Sequence, residues 1–206
     1  MKHILCFGDS NTYGLIPAAG GRYTEDIRWT GILNEKVKAF GYRVIEEGLC
    51  GRTTVFADEL RDGRRGIDFL PILLESHFPV EQVVLMLGTN DCKTVFGASA
   101  EVIGKGLEKL LQQIRAFDPD IKILAMSPIW LGEEVWKEEF DPEFNQESVR
   151  TSKRLKEVYQ ELAKKYGCDF LAASDVASPS EEDQEHLNKE GHKLLAEAVF
   201  EKLKLG

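Results

Sequence analysis

QVVLMLGTND, residues 82–91, is apolar at five consecutive positions, Val83 to Leu87, before it turns polar at Gly88. A strand with one solvated face alternates apolar and polar residues. A run without alternation belongs to a sheet covered on both faces, the condition of parallel strands in α/β proteins. Pro79 and Gly88 bound the run, so its length is that of a strand and not of a buried helix. Outward from it the same form recurs. HILCFG (3–8) and YRVIEEG (42–48) lie upstream, and KILAMS (122–127) and CDFLAA (168–173) downstream.

Between these runs lie longer stretches with helical spacing. Residues 28–41 place Trp29, Ile32, Leu33, Val37 and Phe40 on one face and stop at Gly41. Residues 66–78 read as helical despite Pro71, and 99–117 as a helix capped by Ser99. Residues 143–167 end at Gly167, and 187–204 form the last helix. Five strands alternating with helices predict parallel β-α-β units with right-handed crossovers. The expected fold class is therefore α/β, a three-layer α/β/α sandwich around a doubly wound, five-stranded parallel sheet. A chain of 206 residues makes this one domain, 1–206.

Composition narrows the partners. With 43% hydrophobic and 30% charged residues the chain is ordinarily globular, which excludes disorder and fibrous folds. The net charge of −9 argues against nucleic acid, anionic membrane or polyphosphate as partner, since each requires a basic face. No apolar run is long enough to span a membrane, and MKHILCFGDS is too short in its apolar part for a signal peptide. Cys6, Cys50, Cys92 and Cys168 are widely spaced, form no zinc pattern and suit a reducing cytoplasm, the expected location.

Sites in doubly wound sheets form beyond the carboxyl ends of the strands. There the sequence places Gly8-Asp9-Ser10-Asn11-Thr12-Tyr13-Gly14, Gly48-Leu49-Cys50-Gly51-Arg52-Thr53-Thr54, Gly88-Thr89-Asn90-Asp91 and Asp183-Gln184-Glu185-His186-Leu187. Together these loops hold a hydroxyl, backbone N–H donors, a side-chain amide, an imidazole and a carboxylate. Those are the parts of a nucleophilic acyl-transfer site.

These four blocks, in this order, resemble those of the SGNH (GDSL) hydrolase family over residues 3 to 200. RWTGIL, VIEEGLCGRTT and MLGTND are similar to the family's small bacterial arylesterase and acyltransferase branch. The resemblance implies a flavodoxin-like sheet and a Ser-His-Asp esterase with no metal or organic cofactor. It also implies an oxyanion hole made by the nucleophile's N–H, a glycine N–H and an asparagine side chain, and, from the branch, a homo-oligomer.

Ser10 is the expected nucleophile, although a serine after a strand is by itself more often a helix N-cap. His186 is the expected base, chosen over His3, His77 and His192 because only it has a carboxylate three residues upstream. That carboxylate, Asp183, is the expected orienter, with Glu182 as the alternative. Gly51 and Asn90 are the expected oxyanion donors with Ser10, each also readable as a polar turn. Asp9 and Asp91 read as braces of their loops. Arg28, with Trp29, is a candidate substrate contact at the start of the first helix, or else a structural ion pair. Trp130 and Trp136, in the aromatic-rich segment 128–144, wall an acyl pocket, a subunit interface or a satellite core.

The expected activity is hydrolysis of a small-molecule ester, acetyl or short-acyl, with acyl transfer to alcohols as an extension. A flavodoxin-like FMN module is the rival, with Ser10, Asn11 and Thr12 on the phosphate. It leaves the Asp183–His186 pair without a purpose. The acidic residues Glu181 to Glu185 around the base predict an activity onset at or above the ordinary histidine pKa.

Overall fold

The computed structural model describes residues 1–205. In chain order the strands are β1 (Lys2–Gly8), β2 (Tyr42–Gly48), β3 (Gln82–Met86), β4 (Lys122–Ser127) and β5 (Asp169–Ala172). The helices are α1 (Ser10–Tyr13), α2 (Trp29–Lys38), α3 (Gly66–Ser76), α4 (Ala100–Phe117), α5 (Gln146–Tyr166) and α6 (Lys189–Lys202). All pairings are parallel and the strand order is β2-β1-β3-β4-β5. This is the flavodoxin-like order, in which the connections reverse direction beside β1, and a crevice opens between the ends of β1 and β3.

Successive strand residues point to opposite faces, so strands with no alternation feed two cores at once. Leu5, Phe7, Val83 and Leu85 pack against Leu70 and Leu74 of α3, Leu107, Leu110 and Leu111 of α4, and Leu155 and Tyr159 of α5. Ile4, Cys6, Val84, Met86, Leu124 and Met126 pack against Trp29, Leu33 and Val37 of α2 and Leu195, Ala196 and Val199 of α6. Covering helices on both faces complete the three layers.

Element ends differ from the periodicity where a side chain competes for the backbone. β3 stops at Met86 because the Leu87 carbonyl accepts from Tyr159 Oη at 2.9 Å. Gly88 follows with φ of 134°, where an added Cβ would meet Tyr159 Oη at 2.6 Å. α5 begins at Gln146, inside the expected 143–167, because Asn145 caps it. Asn145 Oδ1 accepts the Ser148 N–H at 2.9 Å, and Ser148 Oγ accepts the Asn145 N–H at 3.1 Å. Pro71 is tolerated inside α3 because the Ile67 carbonyl, which loses the proline's donor, accepts from Gln113 Nε2 of α4 at 2.8 Å. Among the described residues no helix is long and apolar enough to cross a membrane.

Candidate active site

The chain leaves β1 through Gly8 into a single helical turn, α1, headed by Asp9. Asp9 Oδ1 accepts the Asn11 N–H at 3.0 Å, which holds the turn and sets Ser10 at the first helical position. Gly8 and Gly48 are required here by close approach. A Cβ on Gly48 would lie 2.1 Å from the Tyr13 nitrogen, so β2 passes directly beneath α1. Ser10 is 3% exposed, and among the described residues its N–H has no backbone acceptor, as befits a first-turn amide.

His186 reaches this serine across 176 residues, with Nε2 2.8 Å from Ser10 Oγ. Its Nδ1 lies 2.7 Å from Asp183 Oδ2. The carboxylate is itself fixed. Asp183 Oδ1 accepts the backbone N–H groups of Glu185 and His186 at 3.0 and 2.9 Å and the Ser180 hydroxyl at 3.2 Å, and Oδ2 accepts the Ala18 N–H at 3.2 Å. Burial raises the Asp183 pKa, but the imidazole and these N–H donors outweigh it and hold the carboxyl down at about 2. The imidazole behaves oppositely. Burial lowers its pKa, and the negative charges of Glu185, Asp183 and Asp9 overcome that and push it up to about 9. Among the described residues Glu182 makes no hydrogen bond to the ring, and Asp183 is the carboxylate at Nδ1.

Asn11 joins the two loops. Its Oδ1 accepts the Leu187 N–H at 2.9 Å and its Nδ2 donates to the Glu185 carbonyl at 3.3 Å, so one buried amide brackets His186 on both sides. The Trp29 indole donates to the Asn11 carbonyl at 3.1 Å and ties the loop to α2. The loop after β2 is drawn to the same place. Its Leu49 N–H donates to the Gly8 carbonyl at 3.1 Å, and the buried Arg52 donates to the carbonyls of Gly8 (2.9 Å) and Glu47 while lying over Phe7.

Gly51, between them, has φ of 80°, a left-handed conformation that favours glycine. Its N–H has no backbone acceptor among the described residues. Asn90, in the turn that follows β3 and Gly88, spends one amide hydrogen on the Arg52 carbonyl at 3.2 Å and keeps the second. Asp91 accepts from the Thr54 N–H at 2.9 Å and from the Thr54 hydroxyl, which locks the Gly51 loop against the Asn90 turn. Burial raises the Asp91 pKa to about 7 despite these bonds.

The remaining candidates lie elsewhere. Arg28 is buried in a two-point ion pair with Glu46 of β2, Nε to Oε2 at 2.6 Å and Nη2 to Oε1 at 2.7 Å, and also donates to the Tyr23 carbonyl. Trp136 donates its indole N–H to the Glu133 carbonyl and lines a groove with Gln146 and Val149 of α5. Trp130 is 39% exposed, with Lys153 Nζ 5.8 Å from its ring centre. The segment that carries them meets the base loop at the Gly132 N–H, 2.7 Å from the Gln184 carbonyl. Of the other histidines, His192 accepts the Trp29 N–H and His77 pairs with Glu47. Asn11 and Glu185 lie within the sequence blocks, but the hydrogen bond between them was not legible there, because it joins loops more than 170 residues apart.

Residues 6–194 match the family model described as GDSL-like Lipase/Acylhydrolase. The chain belongs to this family. On that membership, and with esterases as its structural neighbours, it is a carboxylic ester hydrolase. Among solved structures it is similar to Est24, a carbohydrate acetylesterase from Sinorhizobium meliloti, at 34% identity and TM-score 0.90 over 98% of each chain. It is also similar to the inhibitor-bound aryl esterase of M. smegmatis, at 32% identity and TM-score 0.89 over 98% of this chain and 97% of that one. A lipase/acylhydrolase from Enterococcus faecalis, 19% identical over 98% of this chain and 94% of that one, shares the fold at TM-score 0.67. No curated protein sequence matches. The FMN alternative is not supported, since the family model is that of an acylhydrolase and the structural neighbours are esterases.

Proposed function

We propose that Ser10, His186 and Asp183 carry ester hydrolysis through an acyl-serine intermediate. The observation that supports this is the unbroken chain from Ser10 Oγ to His186 Nε2 (2.8 Å) and from His186 Nδ1 to Asp183 (2.7 Å). Nδ1 is held by a carboxylate, so in the neutral ring the proton sits on Nδ1 and Nε2 is free to accept from the hydroxyl. Ser10 Oγ attacks the ester carbonyl as its proton passes to Nε2. The imidazolium then protonates the departing alcohol as the acyl–oxygen bond breaks. In the second half a water, or another alcohol, gives a proton to Nε2 as it attacks the acyl carbonyl, and the imidazolium returns that proton to Ser10 Oγ as the acyl–Oγ bond breaks.

The tetrahedral oxyanion is received by the Ser10 N–H, the Gly51 N–H and the uncommitted amide hydrogen of Asn90. Each is worth about 2.7–4 kcal/mol in the transition state. Arg28, Trp130 and Trp136 are given no role in this reading; Glu46 holds Arg28 and the Glu133 carbonyl holds the Trp136 indole. Two cavities of about 520 and 580 Å³ lie beside α4 and α5 and beside residues 174–194, and neither is lined by Ser10 or His186. The acetylesterase neighbour favours acetyl and other short acyl groups. Four free thiols support a reducing, cytoplasmic setting. The test of the triad is Ser10→Ala, for which kcat on p-nitrophenyl acetate falls by about 10⁴-fold or more with the melting temperature retained. Turnover within tenfold of the parent would remove Ser10 from the mechanism.

A further inference from the structure

Glu185 has no task in the reaction described above, yet it stands next to it. Its side chain is 9% exposed, and its Oε1 lies 3.8 Å from His186 Nε2, the ring nitrogen that faces Ser10. Among the described residues no hydrogen-bond donor reaches this carboxyl, although its own backbone groups are used by Asn11 and Asp183. The imidazole faces it as a charge partner at 3.8 Å and gives it no hydrogen bond, its two ring nitrogens being committed to Ser10 and Asp183. Burial pushes its pKa up to about 7. The charge of His186 opposes that rise, while Asp141, Asp183 and Asp9 add to it. A carboxyl mostly withdrawn from water and given no donor by the protein is costly, and such perturbed groups cluster at functional sites.

We propose that Glu185 is a specificity residue that binds a hydroxyl on the carbon next to the ester-bearing carbon, so that the enzyme's alcohols are 1,2-diols: glycol, glycerol and other polyol esters. The inference rests on the Ser10–His186 reading and extends it to the leaving group. The departing oxygen must come within about 2.6–3.2 Å of His186 Nε2 to receive its proton. Glu185 Oε1 lies 3.8 Å from the same atom. The two oxygens of a gauche 1,2-diol are about one hydrogen-bond length apart, so the second hydroxyl falls at the carboxyl while the first sits at the imidazole. A hydroxyl also suits a carboxyl in either protonation state, accepting from one form and donating to the other, whereas an ammonium group needs the ionised form.

The experiment compares kcat/KM for 2-hydroxyethyl acetate and 2-methoxyethyl acetate, which differ by the donor hydrogen and have leaving groups of similar acidity. In the wild type the hydroxyl ester is favoured by about tenfold or more, the effect of a hydrogen bond to a charged group. In Glu185→Leu the preference collapses to near one, and in Glu185→Gln, which keeps an acceptor, part of it remains. The ratio is taken within one protein, so a loss of turnover common to both esters cancels. If Glu185→Leu fails to fold, the wild-type ratio and Glu185→Gln decide. A wild-type ratio near one, or a ratio unchanged in the variant that folds, overturns the assignment while leaving hydrolysis of p-nitrophenyl acetate intact. A wild type inert toward p-nitrophenyl acetate overturns the underlying esterase site instead.

Discussion

Asn11→Ala removes the side chain that fastens the base to the nucleophile. Asn11 is 2% exposed, and its amide makes two hydrogen bonds, to the Leu187 N–H at 2.9 Å and the Glu185 carbonyl at 3.3 Å. Alanine leaves both backbone groups unsatisfied, at about 1–3 kcal/mol each. A water admitted to the vacated space recovers part of this, so the expected destabilisation is about 2–4 kcal/mol. For a chain of this size that is a fall in melting temperature of about 4–16 °C. Activity should suffer beyond stability, because the two bonds flank His186 and a displacement of its ring near 1 Å costs about 100-fold. Thermal melting and kcat/KM on p-nitrophenyl acetate, both measured well below the variant's melting temperature, test the two effects separately. A melting temperature within 2 °C of wild type together with kcat/KM within about threefold would refute the clamp.

Asp183→Asn should lower kcat by about 10⁴-fold with the fold retained, because an amide presents a donor to Nδ1 and favours the tautomer that cannot accept from Ser10. A single-turnover measurement checks this, and a loss below tenfold would detach Asp183 from the base. The pH profile follows from the imidazole. With the His186 pKa at about 9, the base is protonated at neutral pH, and kcat/KM for an uncharged ester should rise with pH toward that value. Glu185, near 7, titrates in the same window, so the limb is a property of the pair. An acid limb centred below 6.5 would contradict it. The linked stability has the opposite sign. The His186 contribution is complete below pH 6.5 and is lost as pH rises through about 9, and that of Glu185 is complete below pH 4.5 and is lost as pH rises through about 7, so the enzyme is most active where both have gone.

The arrangement of layers was legible because it depends on one-dimensional patterns. Runs such as Val83 to Leu87, apolar on both faces, demand helices on both sides, and α2 and α6 cover one face while α3, α4 and α5 cover the other. Element ends were less legible, since Tyr159 takes the Leu87 carbonyl and Asn145 starts α5 through bonds that periodicity does not encode. In the site, Ser10, Gly51, Asn90, Asp183 and His186 stand out as residue types at strand ends. For Arg28 two readings were open, and Glu46, placed by the neighbouring strand, takes it into an ion pair.

The amino-acid sequence by itself determined the α/β class and the set of reactive groups, because hydrophobic period and residue chemistry are local properties. Only the tertiary structure decided which groups meet. The bond between Ser10 and His186 and the Asn11 clamp both join residues at opposite ends of the chain. Hydrogen bonds and charge interactions act over a few ångströms of space, and parallel strand order, not sequence separation, sets that distance.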